Sequence, residues 1–491
     1  MPKSFVWHRR DLRTRDNPAV EAASSVEGPT VPVYVADPGF FDRLMNQARA
    51  RFVLESLRDL NARYRELGTH LLLFEGDPVE VLRELAGEED TVFFTLESDL
   101  YFSRRRDEAL EIAEGVSVDP VDRSPVGSRE NWEERLENYF QSDPVRSGRL
   151  RSHSMSGEVS IDELVDSHAP DPEKPVPEPG RKAGEQRLRS FLEQIELYGP
   201  CVSKPLRAEE TCSRISPHLA YGTMSVREVY RRAGQDTKSS EMFRDRLAWN
   251  LHMKQKLEDN PDLTWQAVNP VYRGLHEENR DEELICAWKN GETGYPMVDA
   301  SMRSLVETGW INFRMRAMAA SFYSYILKQP WKTGADFFYR HLIDSEAAIN
   351  YYQWQMQSGL VGVHANRIYD PTKQKRENDP RGEFIREYIP ELRPVPDQYL
   401  AEPWKMPEPV QEECGVEIGR NYPGPVVDFD READEARKFF RRKAPEAYRA
   451  LLDDEVWRKA SLSDSHSREE IRRKADQESR ESRDSSLEEY P

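Results

Sequence analysis

Over the first 121 residues short apolar runs alternate with helical patterns, and no other feature of the chain constrains its fold as much. Phe5-Val6-Trp7, Val31-Pro32-Val33-Tyr34-Val35, Leu71-Leu72-Leu73-Phe74 and Thr91-Val92-Phe93-Phe94 read as buried strands, with Val116 to Val121 a fifth candidate. The clearest intervening helix runs from Ala48 to Leu67. Such alternation predicts an α/β domain built on a doubly wound parallel sheet. No G-x-G-x-x-G follows the first strand, so the ordinary dinucleotide fingerprint is absent.

From Val126 to Gly184 the pattern dissolves into Ser, Gly, Pro and charge, with Ala169 to Gly180 the clearest linker stretch. Beyond Glu185 strand signals vanish and helical patterns take over through Leu452. The last forty or so residues are charged and nearly devoid of apolar side chains, which predicts disorder. The expected organisation is an α/β domain over 1–130, an interdomain linker over 131–185, an all-α domain over 186–452 and a charged tail over 453–491.

A chain of 491 residues is too long for one compact core. No run of about eighteen apolar residues occurs, so no membrane span is expected, and the N-terminus lacks the layout of a signal peptide. Cys201, Cys212, Cys286 and Cys414 form no C-x-x-C pair, which argues against zinc and disulfide frameworks and for the cytoplasm. The net charge of −19, with arginine far outnumbering lysine, suits a protein kept soluble in high salt, a halophilic trait. It neither supports nor excludes DNA, because binding depends on the local field at a cleft.

Three segments carry candidate chemistry. Thr211-Cys-Ser-Arg-Ile-Ser-Pro-His places Thr211, Ser213, Arg214, Ile215 and Ser216 just before a helix opening at Pro217. Hydroxyls and a helix N-terminus suit a phosphate or pyrophosphate, while N-capping by Ser216 is the simpler alternative. The second segment sets Arg314 and Arg316 in an apolar helical pattern, and buried arginines need partners. The third offers them in Asp344, Glu346 and Asn350, though a structural ion pair would read the same way. Trp249, Trp288, Trp310, Trp331 and Trp354 fill the helical region as core residues or as an electron path from a redox cofactor.

Taken together these segments resemble the DNA photolyase/cryptochrome family. Trp7-His-Arg-Arg-Asp-Leu-Arg-Thr-Arg-Asp-Asn-Pro-Ala is similar to the family's opening W-F-R-R-D-L-R-x-x-D-N-P-A. Ser213-Arg-Ile-Ser-Pro-His-Leu, Thr293-Gly-Tyr-Pro-Met-Val-Asp-Ala, Thr308-Gly-Trp, Arg367-Ile-Tyr-Asp-Pro and Gly382-Glu-Phe-Ile-Arg-Glu-Tyr-Ile-Pro-Glu-Leu follow the family's later motifs in order, over residues 4 to 400. The resemblance implies an antenna-type N-terminal domain and a helical domain holding FAD. Ser213, Arg214 and Ser216 would hold its phosphates with Tyr198 and Ile215 nearby, and Thr211 would substitute for the family threonine that Cys212 replaces. Arg316 would pair with Asp344 beside the isoalloxazine ring, near Glu346, and Asn350 would face flavin N5.

Trp354 and Trp331 fall on the first two positions of the family's photoreduction chain. Its third position is Glu278, so that chain is broken or rerouted through Trp288 or a tyrosine. The implied reaction is light-driven. A second, antenna chromophore (deazaflavin, folate or lumazine) passes excitation to reduced FAD, and Trp249 stacks on a pyrimidine dimer flipped from damaged DNA. Excited FADH⁻ lends an electron that splits the dimer. The alternative is a blue-light photoreceptor with a signalling partner. In either case the chain is expected to be a monomer.

The lesion pocket departs from the family pattern. Arg246 and Asn250 replace a carboxylate and an arginine, Phe313 and Ala317 replace an asparagine and a methionine, and Met356 replaces the second tryptophan of W-Q-W. An arginine cannot accept a hydrogen bond from a thymine edge as a carboxylate can.

Overall fold

The computed structural model describes residues 1–96, 117–121, 125–127, 129–363, 367–461 and 470–475. The chain divides into two compact units. One comprises Met1–Gly199, Thr211–Gln255 and Arg340–Glu346; the other comprises Pro200–Glu210, Lys256–Tyr339 and Ala347–Pro491.

All five expected runs are strands of the first unit: β1 (Ser4–His8), β2 (Thr30–Ala36), β3 (Leu72–Glu75), β4 (Thr91–Thr95) and β5 (Ser117–Val121). They form one sheet in the order β3-β2-β1-β4-β5, and every neighbouring pair is parallel. Side chains alternate between two cores. Phe5, Trp7, Val33 and Phe94 pack on one face of the sheet, and Val6, Tyr34, Leu73 and Phe93 on the other. Burial of both faces is what a doubly wound sheet requires.

Helices α1 (Pro18–Ser24), α2 (Pro38–Leu44), α3 (Gln47–Leu67) and α4 (Pro78–Leu85) connect the strands. Asn17, Asp37, Asn46 and Asp77 cap them through side-chain oxygens that accept backbone N–H groups of the first turn. The stretch expected as a linker carries two helices, α5 (Trp132–Gln141) and α6 (Ile161–His168). Leu164 and Val165 of α6 join the same core as Phe52 and Leu57 of α3, so part of that stretch belongs to the packed unit.

The first unit continues through α7 (Gly180–Leu192), α8 (Ser216–Ala220), α9 (Val226–Arg232) and most of α10 (Lys238–Asp259). Two buried ion pairs lock these helices to it: Arg227 with Asp16, and Arg181 with both carboxylate oxygens of Glu228.

Among the described residues of the second unit every regular element is a helix, and one isolated bridge joins Ile418 to Tyr422. The helices that bear on function are α11 (Glu282–Asn290), α12 (Pro296–Thr308), α13 (Phe313–Ser321), α14 (Trp331–His341), α15 (Ala347–Gln357) and α16 (Phe429–Ala450). A π-helical turn, Phe322–Ile326, continues α13. Asp299 of α12 organises the turn before it: Thr293 N and Oγ1, Gly294 N and the Tyr422 hydroxyl all donate to its carboxylate. Gly294 sits at φ +80° with its Cα against the Gly424 backbone, so no side chain fits there. The expected tail opens with a helix over Asp454–Ala460; residues 462–469 and 476–491 lie outside the described residues.

Candidate functional site

In the first unit the 211–216 segment is held from behind. Arg187 donates from Nε to the Ser213 carbonyl at 2.9 Å and from Nη2 to the Cys212 carbonyl at 3.0 Å. Arg214 adopts the left-handed conformation at φ +52°, which is costly for a residue with a Cβ and persists only where its surroundings impose it. The N-cap position of α8 is Ile215, with no side-chain capping bond, and Ser216 is the first helical residue. N-capping by Ser216 is thus not what this serine does. The hydroxyls of Ser213 and Ser216 make no hydrogen bond among the described residues. Thr211 and Ile215 are buried.

Tyr198 is buried between the rings of Phe191 and Phe243. Burial, aided by the nearby Cys212, pushes its hydroxyl up to about 12, against a hydrogen bond from Arg246. Arg246 lies on α10 with its side chain exposed, and one turn later Trp249 is 41% exposed with its ring tilted over His252. Asn250 instead turns inward, donating to Glu346 Oε2 at 3.1 Å.

Glu346 is the hub of a buried charge cluster. Lys254 Nζ lies 2.9 Å and Arg10 Nη2 3.6 Å from its Oε1. Burial works to raise its pKa, but Lys254, Arg10 and the Asn250 bond outweigh burial and hold it below the usual carboxylate range. Arg10 also donates to the Ala220 carbonyl at 2.9 Å and lies over the Tyr221 ring. The motif that opens the chain therefore braces the Asp344–Glu346 segment. Asp344 itself is half-buried and contributes to the field at Tyr221.

In the second unit Asn312 caps α13 through Oδ1, and Phe313 beside it is 41% exposed. Arg314 lies over the Tyr369 ring, and Arg316 Nε donates to the Ile311 carbonyl at 2.8 Å; both are half-buried rather than sunk in a core. Ala317 is buried and Met356 half-buried. Asn350 is buried on α15, its Nδ2 donating to the Ala335 carbonyl of α14 at 2.9 Å. Trp354, one turn on, is enclosed by Phe338, Tyr323 and Trp288, with ring centroids 5.2, 5.8 and 5.9 Å away. Trp331 is buried beside Tyr351, and Glu278 is exposed. Tyr101, Phe102 and Arg104, in the N-terminal domain where an antenna chromophore is expected, lie outside the described residues.

Sequence reasoning missed Arg10, Lys254 and Tyr323. The first lies inside a motif noted only for its likeness, and the other two sit in helical patterns without local signal. Among the described residues no group of His, Cys, Asp and Glu is arranged to hold a metal ion, and no helix is long and apolar enough to cross a membrane.

Residues 4–131 match the family model of DNA photolyase, and residues 243–442 match that of the FAD binding domain of DNA photolyase. A deoxyribodipyrimidine photo-lyase of Streptomyces griseus is 31% identical over 470 residues, covering 90% of this chain and 99% of its own length. A cryptochrome DASH of Natronomonas pharaonis is 29% identical, with 88% and 99% covered. The crystal structure of a bacterial class III photolyase from Agrobacterium tumefaciens superposes with a TM-score of 0.77 at 25% identity, covering 92% of this chain and 98% of that one. Two models matched in order, with relatives of both kinds covered almost end to end, make this chain a member of the photolyase/cryptochrome family.

Proposed function

We propose that this chain is an FAD-dependent photolyase that splits pyrimidine dimers in DNA by light-driven electron transfer. The observation that carries the reading is the orientation of Asn350. The Ala335 carbonyl can only accept, so the amide nitrogen must face it, and Oδ1 is left without a partner among the described residues. A neutral acceptor of this kind, carried on a buried residue, suits the protonated N5 of a reduced flavin.

The 211–216 segment, taken by itself, has donors of the kind FAD's phosphates need. Ser213 and Ser216 offer uncommitted hydroxyls and Arg214 a guanidinium, a donor set for a pyrophosphate, with Tyr198, Thr211 and Ile215 around them. The family resemblance assigns Arg316 and Asp344 each to the flavin ring, and Arg10 and Lys254 hold Glu346, two residues on from Asp344. When bound, FAD supplies the one-electron photochemistry. The exposed face of Trp249 offers a stacking platform to a base swung out of the duplex.

A photoreceptor that binds FAD without repairing DNA is the second reading, and Arg246 favours it. Its guanidinium is engaged with Tyr198 and has no acceptor to give a thymine edge. Dimer loss under blue light, measured on single- and double-stranded DNA with the light-reduced protein, separates the two. Dimers that persist despite a reduced flavin would overturn the repair reading.

A further inference from the structure

We infer that Tyr323 is the terminal electron donor of this chain's photoreduction path, reached from Trp354 directly and through Trp288, in place of the surface tryptophan that Glu278 replaces. The inference rests on the FAD reading for what draws the first electron from Trp354; the path itself is read from contacts within the second unit.

The three oxidisable rings form a closed cluster. Trp354 lies 5.8 Å from Tyr323 and 5.9 Å from Trp288, and Trp288 lies 4.5 Å from Tyr323, centroid to centroid. Trp331, by contrast, contacts Tyr351 at 6.5 Å, and no ring contact joins it to Trp354 among the described residues. Gly334 marks where the rings converge on α14: a Cβ there would lie 2.4 Å from Trp354 Cη2 and 3.1 Å from Tyr323 Cδ1. Tyr323 itself is carried on the π-helical turn, a local distortion often found at functional sites.

The far end of the cluster meets the surface. The buried Tyr323 hydroxyl is beside Thr333, whose Oγ1 accepts from Arg280 Nη1 at 3.2 Å. Arg280 pairs with Glu282, and their side chains are 50% and 64% exposed. Trp288 differs: it is fully buried, with its indole N–H bound to the Ala319 carbonyl at 3.2 Å, so it has no route for losing a proton. Trp288 therefore passes charge on, and Tyr323 retains it.

The balance follows. Trp354 would give up one electron toward a bound, photoexcited flavin and be refilled from Tyr323, directly or by way of Trp288. Burial holds the Tyr323 proton in place while the ring is reduced, with Thr333 and the Arg280 cation acting the other way; once the ring is oxidised the phenolic proton leaves to water past Thr333. A thiol from solution then returns one electron and one proton to the tyrosyl radical and is itself oxidised to a thiyl radical.

The test uses the full chain with its co-purified flavin, illuminated and frozen for electron paramagnetic resonance, with and without ring-deuterated tyrosine. Wild type and Trp331→Phe are expected to give a tyrosyl signal that narrows on deuteration. Tyr323→Phe is expected to lose both the signal and steady photoreduction with its flavin absorbance and melting temperature unchanged. A tyrosyl signal that survives Tyr323→Phe, or one that vanishes in Trp331→Phe, would overturn the inference alone. A protein without flavin would overturn the FAD reading and the inference with it.

Discussion

Asn350 Nδ2 donates to the Ala335 carbonyl oxygen at 2.9 Å, and this bond fixes which atom of the carboxamide faces away from α14. Aspartate at this position would set a carboxylate oxygen against a carbonyl oxygen in a buried place. Asn350→Asp should cost about 1–3 kcal/mol at neutral pH, the penalty of an unsatisfied buried group. The new carboxyl would have a raised folded pKa, because only its protonated form can donate to Ala335. Its stability is then greatest below the ordinary carboxylate pKa of about 4 and is lost as pH rises. Denaturant midpoints of the variant and wild type should converge on acidification; a constant gap would contradict this.

Glu346 carries the opposite sign. Its pKa is depressed in the folded protein, so its contribution is present above the ordinary glutamate value of 4.5 and is lost as pH falls through the lowered value. Glu346→Gln should remove that acid sensitivity. It should also cost about 3–5 kcal/mol near neutrality, because Lys254 and Arg10 lose their shared anion. Chemical denaturation at several pH values checks both the size and the slope.

Asp299 receives four donors, two of them backbone N–H groups that cannot rotate to accept. Burial nevertheless pushes its carboxyl up to about 6, so its contribution is full below 3.8 and declines as pH rises through about 6. Asn at this position must turn its NH2 toward one of those N–H groups. Asp299→Asn should therefore destabilise by about 1–3 kcal/mol, read as a lowered melting temperature, and flatten that decline with pH.

Trp249 is exposed and packs mainly on His252, so Trp249→Ala should leave stability within about 0.5 kcal/mol of wild type. On the repair reading the same change should weaken binding of dimer-containing oligonucleotides by about 1–3 kcal/mol, the worth of a stacked base. Titrations at matched salt check this; equal affinity would remove Trp249 from the DNA surface.

The first four strands were legible because each is a compact apolar run that the sheet buries on both faces, as with Phe5 and Val6. The helical pieces inside the 131–185 stretch were not, because Leu164 and Val165 are two apolar residues amid polar ones and reveal themselves only against Phe52 and Leu57. The family's likeness pointed to Ser213, Ser216 and Asn350, yet no sequence pattern says that the Asn350 amide nitrogen is tied to Ala335. Glu346, expected beside the cofactor, owes its environment to Arg10, more than 300 residues away along the chain. Tyr323 reads as one more core aromatic until its ring is placed against Trp288 and Trp354.

The central claim is that light absorbed by a flavin in this protein drives dimer splitting. Its most direct measurement is the count of pyrimidine dimers in DNA incubated with the light-reduced protein under blue light and in darkness. The account predicts loss of dimers only in the illuminated sample that contains flavin, and dimers unchanged in that sample would contradict it.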